Sequence, residues 1–423
     1  MSQLDVSWQS EASFAETNAN DSLCKVINLV RTGRATTRLA LEQLTGLGRA
    51  AVRQRVEHAI TLGYLADADL GPSAGGRAPR NLAFVADRGQ LLLIAFGLSN
   101  ATVAIADLAG NVISSHHEEW DIASGPDATL EHVASALESM KGFDAQRVWG
   151  VAMGAPGPTD FLRGRLVAPP NLPSWNEYDI RGWLQTRFHA PVWVDNYVNV
   201  LAIGELKRHP AVQGENMLYV RVGTGIGEGL IFGGQMIRGG NGAAGNIAHT
   251  PVPGSRVPCR CGKFGCLEAV AGGWALVRDA TDLAVSGRSQ WFAERLEAAG
   301  RLRSEDIIQA AKEGDSAAIE LLGVSARAVG DTVALLVNHL NPSLIVLGGS
   351  IAASNEFYLA AIREAVYRSG LPLATRDLTI AVGAGDPISG AASLLVDQLF
   401  EQTFPAWVLA GSPINNNAVE LAG

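Results

Sequence analysis

The chain has 423 residues, of which 47% are hydrophobic and 18% charged, and a formal net charge of −9. That length predicts two or three domains, and that composition excludes a disordered or collagen-like polymer. No apolar run approaches the ~20 residues of a membrane span, so no membrane association is expected.

The first 22 residues carry Asp5, Glu11, Glu16 and Asp21 but no Lys or Arg. They lack the basic start and apolar stretch of a signal peptide, so they read as a flexible acidic tail on a cytoplasmic protein. Residues 23–88 reverse the balance, with ten Lys/Arg against five Asp/Glu. A basic module on an acidic body suits a polyanionic partner, although a solvated basic face has the same composition. The pattern favours DNA. Leu23, Val26, Ile27 and Val30 follow i, i+3, i+4, i+7, an amphipathic helix stopped by Gly33. Thr36 and Thr37 offer N-caps to a second helix carrying Leu41 and Leu44. A glycine-containing turn, Leu44–Gly48, leads to a third helix with Val52, Val56, Ala59 and Ile60 on its inner face. This is the helix-turn-helix order. Arg49, Arg53 and Gln54 lie near the start of the third helix, the part that reads base edges in the major groove. Thr37 and Arg38 complete the candidate DNA-binding set, with Arg55 and Lys25 expected at phosphates. The Gly/Pro loop "GPSAGGRAPRNLAF" then reads as a wing offering Arg77 or Arg80 to the minor groove.

Beyond residue 88 the chain alternates strands and helices, an α/β pattern. Strands are expected at Leu91–Leu98 and Ala101–Ile113, then in "VWGVAMGA", "APVWVDN", "NMLYVRV", "GLIF", "SLIVLGG" and "LTIAV". Helices are expected near 128–141, after Asn196, and near 264–285, 288–300, 304–313 and 316–340. Three of the four cysteines fall within "PCRCGKFGCLE", Pro258–Glu268. In a cytoplasmic chain such a cluster points to metal rather than a disulfide, with reduced buried thiols as the alternative. Cys24, on the apolar face of the first helix, reads as core.

A winged helix followed by "GAPGP", "PNLPSW", "VDNYVNVLAIGE", "VGTGIGEGLIFGGQMIRGGNGAAGNIAH", "CRCGKFGCLE" and "NPSLIVLGGS" resembles the ROK family of sugar-responsive repressors and sugar kinases. The resemblance covers about residues 20–400. It implies a winged helix-turn-helix domain (23–88) ahead of a two-lobed, actin-like ATPase (ribonuclease H-like) fold with sugar and nucleotide in the cleft. Lobe 1 would span 89–200, rejoined by about 383–403. Lobe 2 would span 201–382, with the metal site and an oligomerisation surface, and 404–423 would be a tail.

The resemblance also implies ligands for structural Zn2+, namely His249, Cys259, Cys261 and Cys266. Four N/S donors close zinc to water and leave it no catalytic position. Carried over residue by residue, the ligand-binding set is Asn171, Asn196, Tyr197, Asn246, His249 and Glu268. Two departures bear on catalysis. Tyr197 stands where the kinases hold the Asp that acts as base, and a phenol of pKa ~10 is a poor base at neutral pH. Ala95 replaces the Asp of the first phosphate loop. Asp195 is an imperfect substitute, about 7 Å along the strand from Tyr197. The glycine loop "GTGIGEG" (Gly223–Gly229) survives, but no catalytic residue is expected. Asn246 replaces another family carboxylate, so the cleft should be less anionic and should favour a phosphorylated or otherwise anionic ligand. The expected protein is a repressor of carbohydrate uptake or catabolism genes. It would bind operator DNA as a homodimer or homotetramer and respond to a sugar or sugar derivative. An active sugar kinase with a DNA-binding extension and a zinc-stabilised docking protein are the alternatives.

Overall fold

The computed structural model describes residues 10–70, 80–212, 214–353 and 356–409. Helix α1 (Ser10–Arg31) buries Leu23, Val26, Ile27, Leu29 and Val30. It starts inside the segment expected as a loose tail. No Gly or Pro interrupts residues 10–31, so nothing in the chain stops the helix from propagating toward its N-terminus. Thr37 caps α2 (Arg38–Thr45) by accepting from the Ala40 amide at 3.2 Å, and Gly46 ends that helix in the left-handed region. Helix α3 (Arg49–Thr61) follows, buried through Val52, Val56 and Ala59. Antiparallel β1 (Leu65–Leu70) and β2 (Arg80–Phe84) make the wing's two strands. Their connecting loop, and with it Arg77, lies outside the described residues.

Two five-stranded sheets follow, built on one plan. The first lobe contains β3 (Gln90–Phe96), β4 (Asn100–Ala106), β5 (Val112–Glu119), α4 (Pro126–Ser139), β6 (Val148–Ala155), the short pair β7 (Thr159–Asp160) and β8 (Arg165–Leu166), α5 (Ile180–Phe188), β9 (Val192–Asn196) and α6 (Tyr197–Arg208). Its sheet runs β5-β4-β3-β6-β9. The second contains β10 (Met217–Val222), β11 (Ile226–Phe232), β12 (Gln235–Ile237), α7 (Leu267–Ala271), α8 (Gly273–Val285), α9 (Gln290–Ala299), α10 (Ser304–Lys312), α11 (Ser316–Leu340), β13 (Leu344–Gly348), α12 (Ser350–Ala353), α13 (Glu356–Ser369), α14 (Pro372–Thr375) and β14 (Thr379–Val382). Its sheet runs β12-β11-β10-β13-β14. In each, the first strand pairs antiparallel with the second on one side and parallel with a later strand on the other. β3 and β6 are buried along their whole length, as central strands covered on both faces should be.

The chain then returns to lobe 1 through α15 (Pro387–Gln398), a π-helical turn (Leu399–Thr403) and α16 (Phe404–Leu409). This corrects the expected tail at 404, because Phe404 and Trp407 are buried. Trp407 meets Trp149 edge-on at 5.2 Å, and Tyr64 of the winged helix meets both Phe404 (4.9 Å) and Trp149 (6.0 Å). Phe84 contacts Phe400 at 5.8 Å, and the Arg31 guanidinium lies 4.3 Å over the Phe400 ring. One apolar cluster therefore runs from the winged helix through the C-terminal helices into lobe 1.

Candidate DNA-binding face and ligand cleft

On α3 the inward stripe Val52, Val56, Ala59 leaves Arg49, Arg53 and Gln54 exposed. Arg53 Nε donates to Glu57 Oε1 one turn on, at 2.8 Å, an exposed pair that is easily exchanged for another anion. Arg38 and Arg80 both reach Asp67 of β1, at 3.2 and 3.8 Å, so one carboxylate ties the start of α2 to the second wing strand. Thr37 sits beside them as the α2 cap. Arg55 differs from expectation. It turns inward and donates from Nε to Ser22 Oγ at 2.8 Å, because its position on α3 faces α1. Lys25 is exposed on α1.

A cleft of about 220 Å³ opens between the lobes. Lobe 1 contributes Gly97–Asn100, Pro156–Pro158 and Asn171. The start of α6 adds Asn196 and Tyr197, and lobe 2 adds Arg221, Thr224–Glu228, Asn246, His249 and Glu268. All six residues of the expected ligand set line this one space.

Their roles in the fold differ. β9 ends at Asn196, whose side chain caps α6: Oδ1 accepts from the Val198 amide (2.8 Å) and Nδ2 donates to the Gly157 carbonyl (2.7 Å). Tyr197 is the first helical residue, with Arg221 stacked at 5.6 Å on its ring, and burial pushes its phenol above the ordinary value. Because the strand stops there, Asp195 does not share a strand face with Tyr197. It is 1% exposed. Its Oδ2 accepts two bonds from Arg238 (2.7 and 2.9 Å) and its Oδ1 accepts from Asn199 Nδ2 (2.8 Å) and the Asn196 amide (2.7 Å). Asp195 is a structural ion-pair residue outside the cleft lining and is corrected as a substitute base. Ala95 is buried at the end of β3. Glu268, at the start of α7, accepts from the Ile226 amide (2.9 Å) and from Trp274 Nε1 (3.2 Å). Asn171 accepts from Arg260 Nη1 at 3.1 Å, and that guanidinium also lies 4.5 Å over Trp274. The bond joins lobe 1 to the cysteine loop across the cleft.

Two lining residues of the cleft went unrecognised in the sequence, Arg221 and Glu228, as did Arg260, which bonds the lining residue Asn171. Glu228 lies in the glycine loop's outgoing strand. It is 6% exposed, and its Oε1 is buried without a hydrogen-bond partner. Burial pushes its carboxyl up from 4.5 to about 7. On the opposite face of the same strand, Gly229 is required because a Cβ there would come within 2.5 Å of Ala202 on α6. Glu228 also revises the charge expectation. It returns a carboxyl to a cleft that the residues at 197 and 246 make less anionic, and Arg221 brings a positive charge to the same lining.

The sign of the Glu228 effect on stability follows from its raised value. Below about pH 4.5 the group is protonated in both folded and unfolded chains. Between about 4.5 and 7 the unfolded chain releases the proton while the fold retains it, so stability falls as pH rises. The full cost is up to about 3 kcal/mol. Glu228→Gln is expected to unfold later than wild type in a urea titration at pH 8 and to lose that advantage near pH 4.5.

The cysteine loop gathers the donors expected of a metal site. The ligand atoms of His249, Cys259, Cys261 and Cys266 all lie within 4.8 Å of one another. Cys259 Sγ is 3.7 Å from His249 Nδ1, and Cys261 Sγ is 3.7 Å from Cys266 Sγ. Zn–S bonds of about 2.3 Å at tetrahedral angles put sulfurs roughly 3.8 Å apart, so the cage fits that ion. Local backbone explains the spacing. Gly265 holds a positive φ of 69°, and a Cβ there would come within 2.4 Å of the Ser255 carbonyl oxygen. The cluster can bind a metal, and His249 also reaches the cleft.

The sequence profile of the ROK family matches residues 92–397. A xylose repressor of Caldicellulosiruptor bescii is 28% identical over 349 residues, covering 81% of this chain and 86% of that protein. A glucokinase of Halalkalibacterium halodurans is 30% identical over 284 residues, 65% of this chain and 84% of that one. The crystal structure of a ROK family transcriptional regulator, a homolog of the Escherichia coli Mlc protein, superposes with a TM-score of 0.78 at 22% identity, over 93% of this chain and all of that chain.

Proposed function

The chain belongs to the ROK family, and on that premise we propose that it is a transcriptional repressor whose hold on operator DNA is set by a sugar or sugar derivative in the cleft. The carrying observation is a helix-turn-helix with exposed Arg49, Arg53 and Gln54, fused by one apolar cluster to a kinase-like body that has Tyr197 at the start of α6. Relatives of both kinds bear on the reading, a xylose repressor and a glucokinase. The matched part of the repressor extends over more of this chain than that of the kinase.

In this reading α3 enters the major groove, Arg49, Arg53 and Gln54 meet base edges, and Thr37, Arg38 and Arg80 hold the backbone. The regulator works in the cytoplasm as a homodimer or homotetramer on paired half-sites. Phosphoryl transfer is absent. It requires a base at the attacking hydroxyl and carboxylates for the metal–nucleotide, and at the two positions where the family's kinases hold those groups this chain has a buried phenol, Tyr197, and Ala95. Zinc on His249, Cys259, Cys261 and Cys266 supplies structure rather than reactivity, holding the loop that carries His249 and Glu268 against the cleft. Effector binding acts by its differential affinity for the lobe arrangements that do and do not fit DNA. The structural route runs from Tyr197 along α6 to α15, then through the π-helical turn and α16 to Tyr64 of the winged helix.

Two experiments test this. In a gel shift with DNA from upstream of its own coding sequence, the protein should bind with an affinity that falls steeply between 50 and 200 mM salt, as phosphate contacts require. Arg53→Ala should weaken that complex by roughly 10- to 100-fold, the worth of one specific base contact. A coupled assay with ATP and a panel of monosaccharides should record no nucleotide consumption. Steady turnover with any sugar, or indifference to duplex DNA at low salt, overturns the proposal.

A further inference from the structure

Antiparallel pairing of β10 with β11 sets Val220 opposite Glu228 and Arg221 opposite Gly227. Side chains alternate along a strand, so Glu228 and Arg221 leave the hairpin on opposite faces. Arg221 goes toward α6, stacked on Tyr197. Glu228 goes the other way, onto the face shared by Ile226. On that face the Ile226 amide binds Glu268, and Gly245, next to Asn246, approaches the Glu228 backbone and Cβ. This is the wall that also carries His249. Glu228 is more than nine-tenths buried, lines the cleft, and has one oxygen with no protein partner among the described residues. A carboxyl left unpaired in such a place is costly to the fold. An interaction made only when the cleft is filled accounts for keeping it.

We propose that Glu228 is a specificity-determining effector residue that accepts hydrogen bonds from the hydroxyls of an uncharged monosaccharide, acting with Glu268 and His249 on the same wall. Two carboxyls on one wall suit a polyol, which donates many hydrogen bonds, and repel a phosphate or carboxylate brought against them. The inference rests on the reading of the cleft as an effector site and adds the class of ligand and the group that selects it. Arg221 is the group that would select otherwise, by holding an anion at the α6 side, and the test separates the two.

The test is isothermal titration calorimetry at pH 7 with the full-length zinc-loaded chain. The probes are D-xylose, D-glucose and N-acetyl-D-glucosamine, each set against an acidic counterpart such as glucose 6-phosphate or glucuronate. Wild type is expected to bind one or more neutral sugars and to bind the acidic forms at least tenfold more weakly. Glu228→Ala should lower the neutral-sugar affinity by roughly 100-fold and Glu228→Gln by roughly tenfold, with zinc content and operator binding unchanged in both. The glutamine variant keeps the shape of the site and guards against a folding artefact. Two results overturn the assignment of Glu228 alone: affinity unchanged within twofold in both variants, or an acidic sugar as the tightest ligand with Arg221→Ala abolishing it. Wild type that binds DNA but no member of the panel overturns the effector reading itself, and the assignment with it.

Discussion

A Cys266→Ala variant is expected to retain almost no zinc, against about one ion per wild-type chain, as metal analysis after gel filtration would record. Cys266 is the most buried of the three clustered cysteines, at the N-cap of α7, and its loop is short, held by backbone bonds such as Val252 N to Gly265 O and by the bridges between Pro251 and Cys266 and between Pro258 and Phe264. Few apolar contacts are available to replace the metal, since the local cluster consists of Cys259, Cys266 and Ala269 with Val257, Cys261 and Trp274 around them. Metal binding here is folding free energy. Loss of several kcal/mol should lower the melting temperature by roughly 10 °C, at about 2–4 °C per kcal/mol for a domain of this size. Sugar affinity should fall with it, because His249 and Glu268 flank the same loop. Operator binding at low temperature should survive, since the winged helix shares no residue with the cage. A variant that keeps its melting temperature and its sugar affinity without zinc would sink the structural role.

The second large effect concerns Trp407. Trp407→Ala removes an indole packed edge-on against Trp149, beside Phe404 and Tyr64. Large-to-small changes of this kind cost about 3–5 kcal/mol. The C-terminal helix joins the winged helix to lobe 1, so the loss should be regional. Thermal unfolding should split, with the DNA-binding domain melting before the body. At temperatures where both remain folded, operator affinity should respond less to sugar than in wild type, because part of the route from the cleft has been loosened. One cooperative transition with full sugar response would argue that the two parts communicate elsewhere.

The helix-turn-helix was legible because its information is local. Three helices and their caps follow from apolar spacing, Thr37 and the glycines at 33, 46 and 63. The alternating strands and helices of the body were legible for the same reason, down to α11, whose bounds match. Segments whose structure depends on distant partners were not. Residues 404–409 contain little to distinguish a tail from a docked helix, and it is Trp149 and Tyr64 that decide. The helix expected over 264–285 breaks at Gly272, between α7 and α8. Helices α5 and α13 went unassigned, although α13 buries Tyr358, Leu359, Ile362, Ala365 and Val366 at helical spacing. Within the cleft, the six expected ligand residues depended on motif resemblance rather than on any pattern of their own. The orientation of Asp195 hinges on where β9 stops, which a run of strand-forming residues does not disclose. Glu228 lies inside a glycine motif, and its burial depends on the pairing of β11 with β10 rather than on a local pattern.

Arg260 stands between Cys259 and Cys261 of the metal-binding cluster and donates to the side-chain carbonyl of Asn171. With the cage formed, that guanidinium is held in register as a clasp across the mouth of the cleft. A guest that takes the Asn171 carbonyl away from Arg260 would unfasten it. The strength of that clasp, set through the metal, would enter directly into the sugar concentration at which the repressor responds.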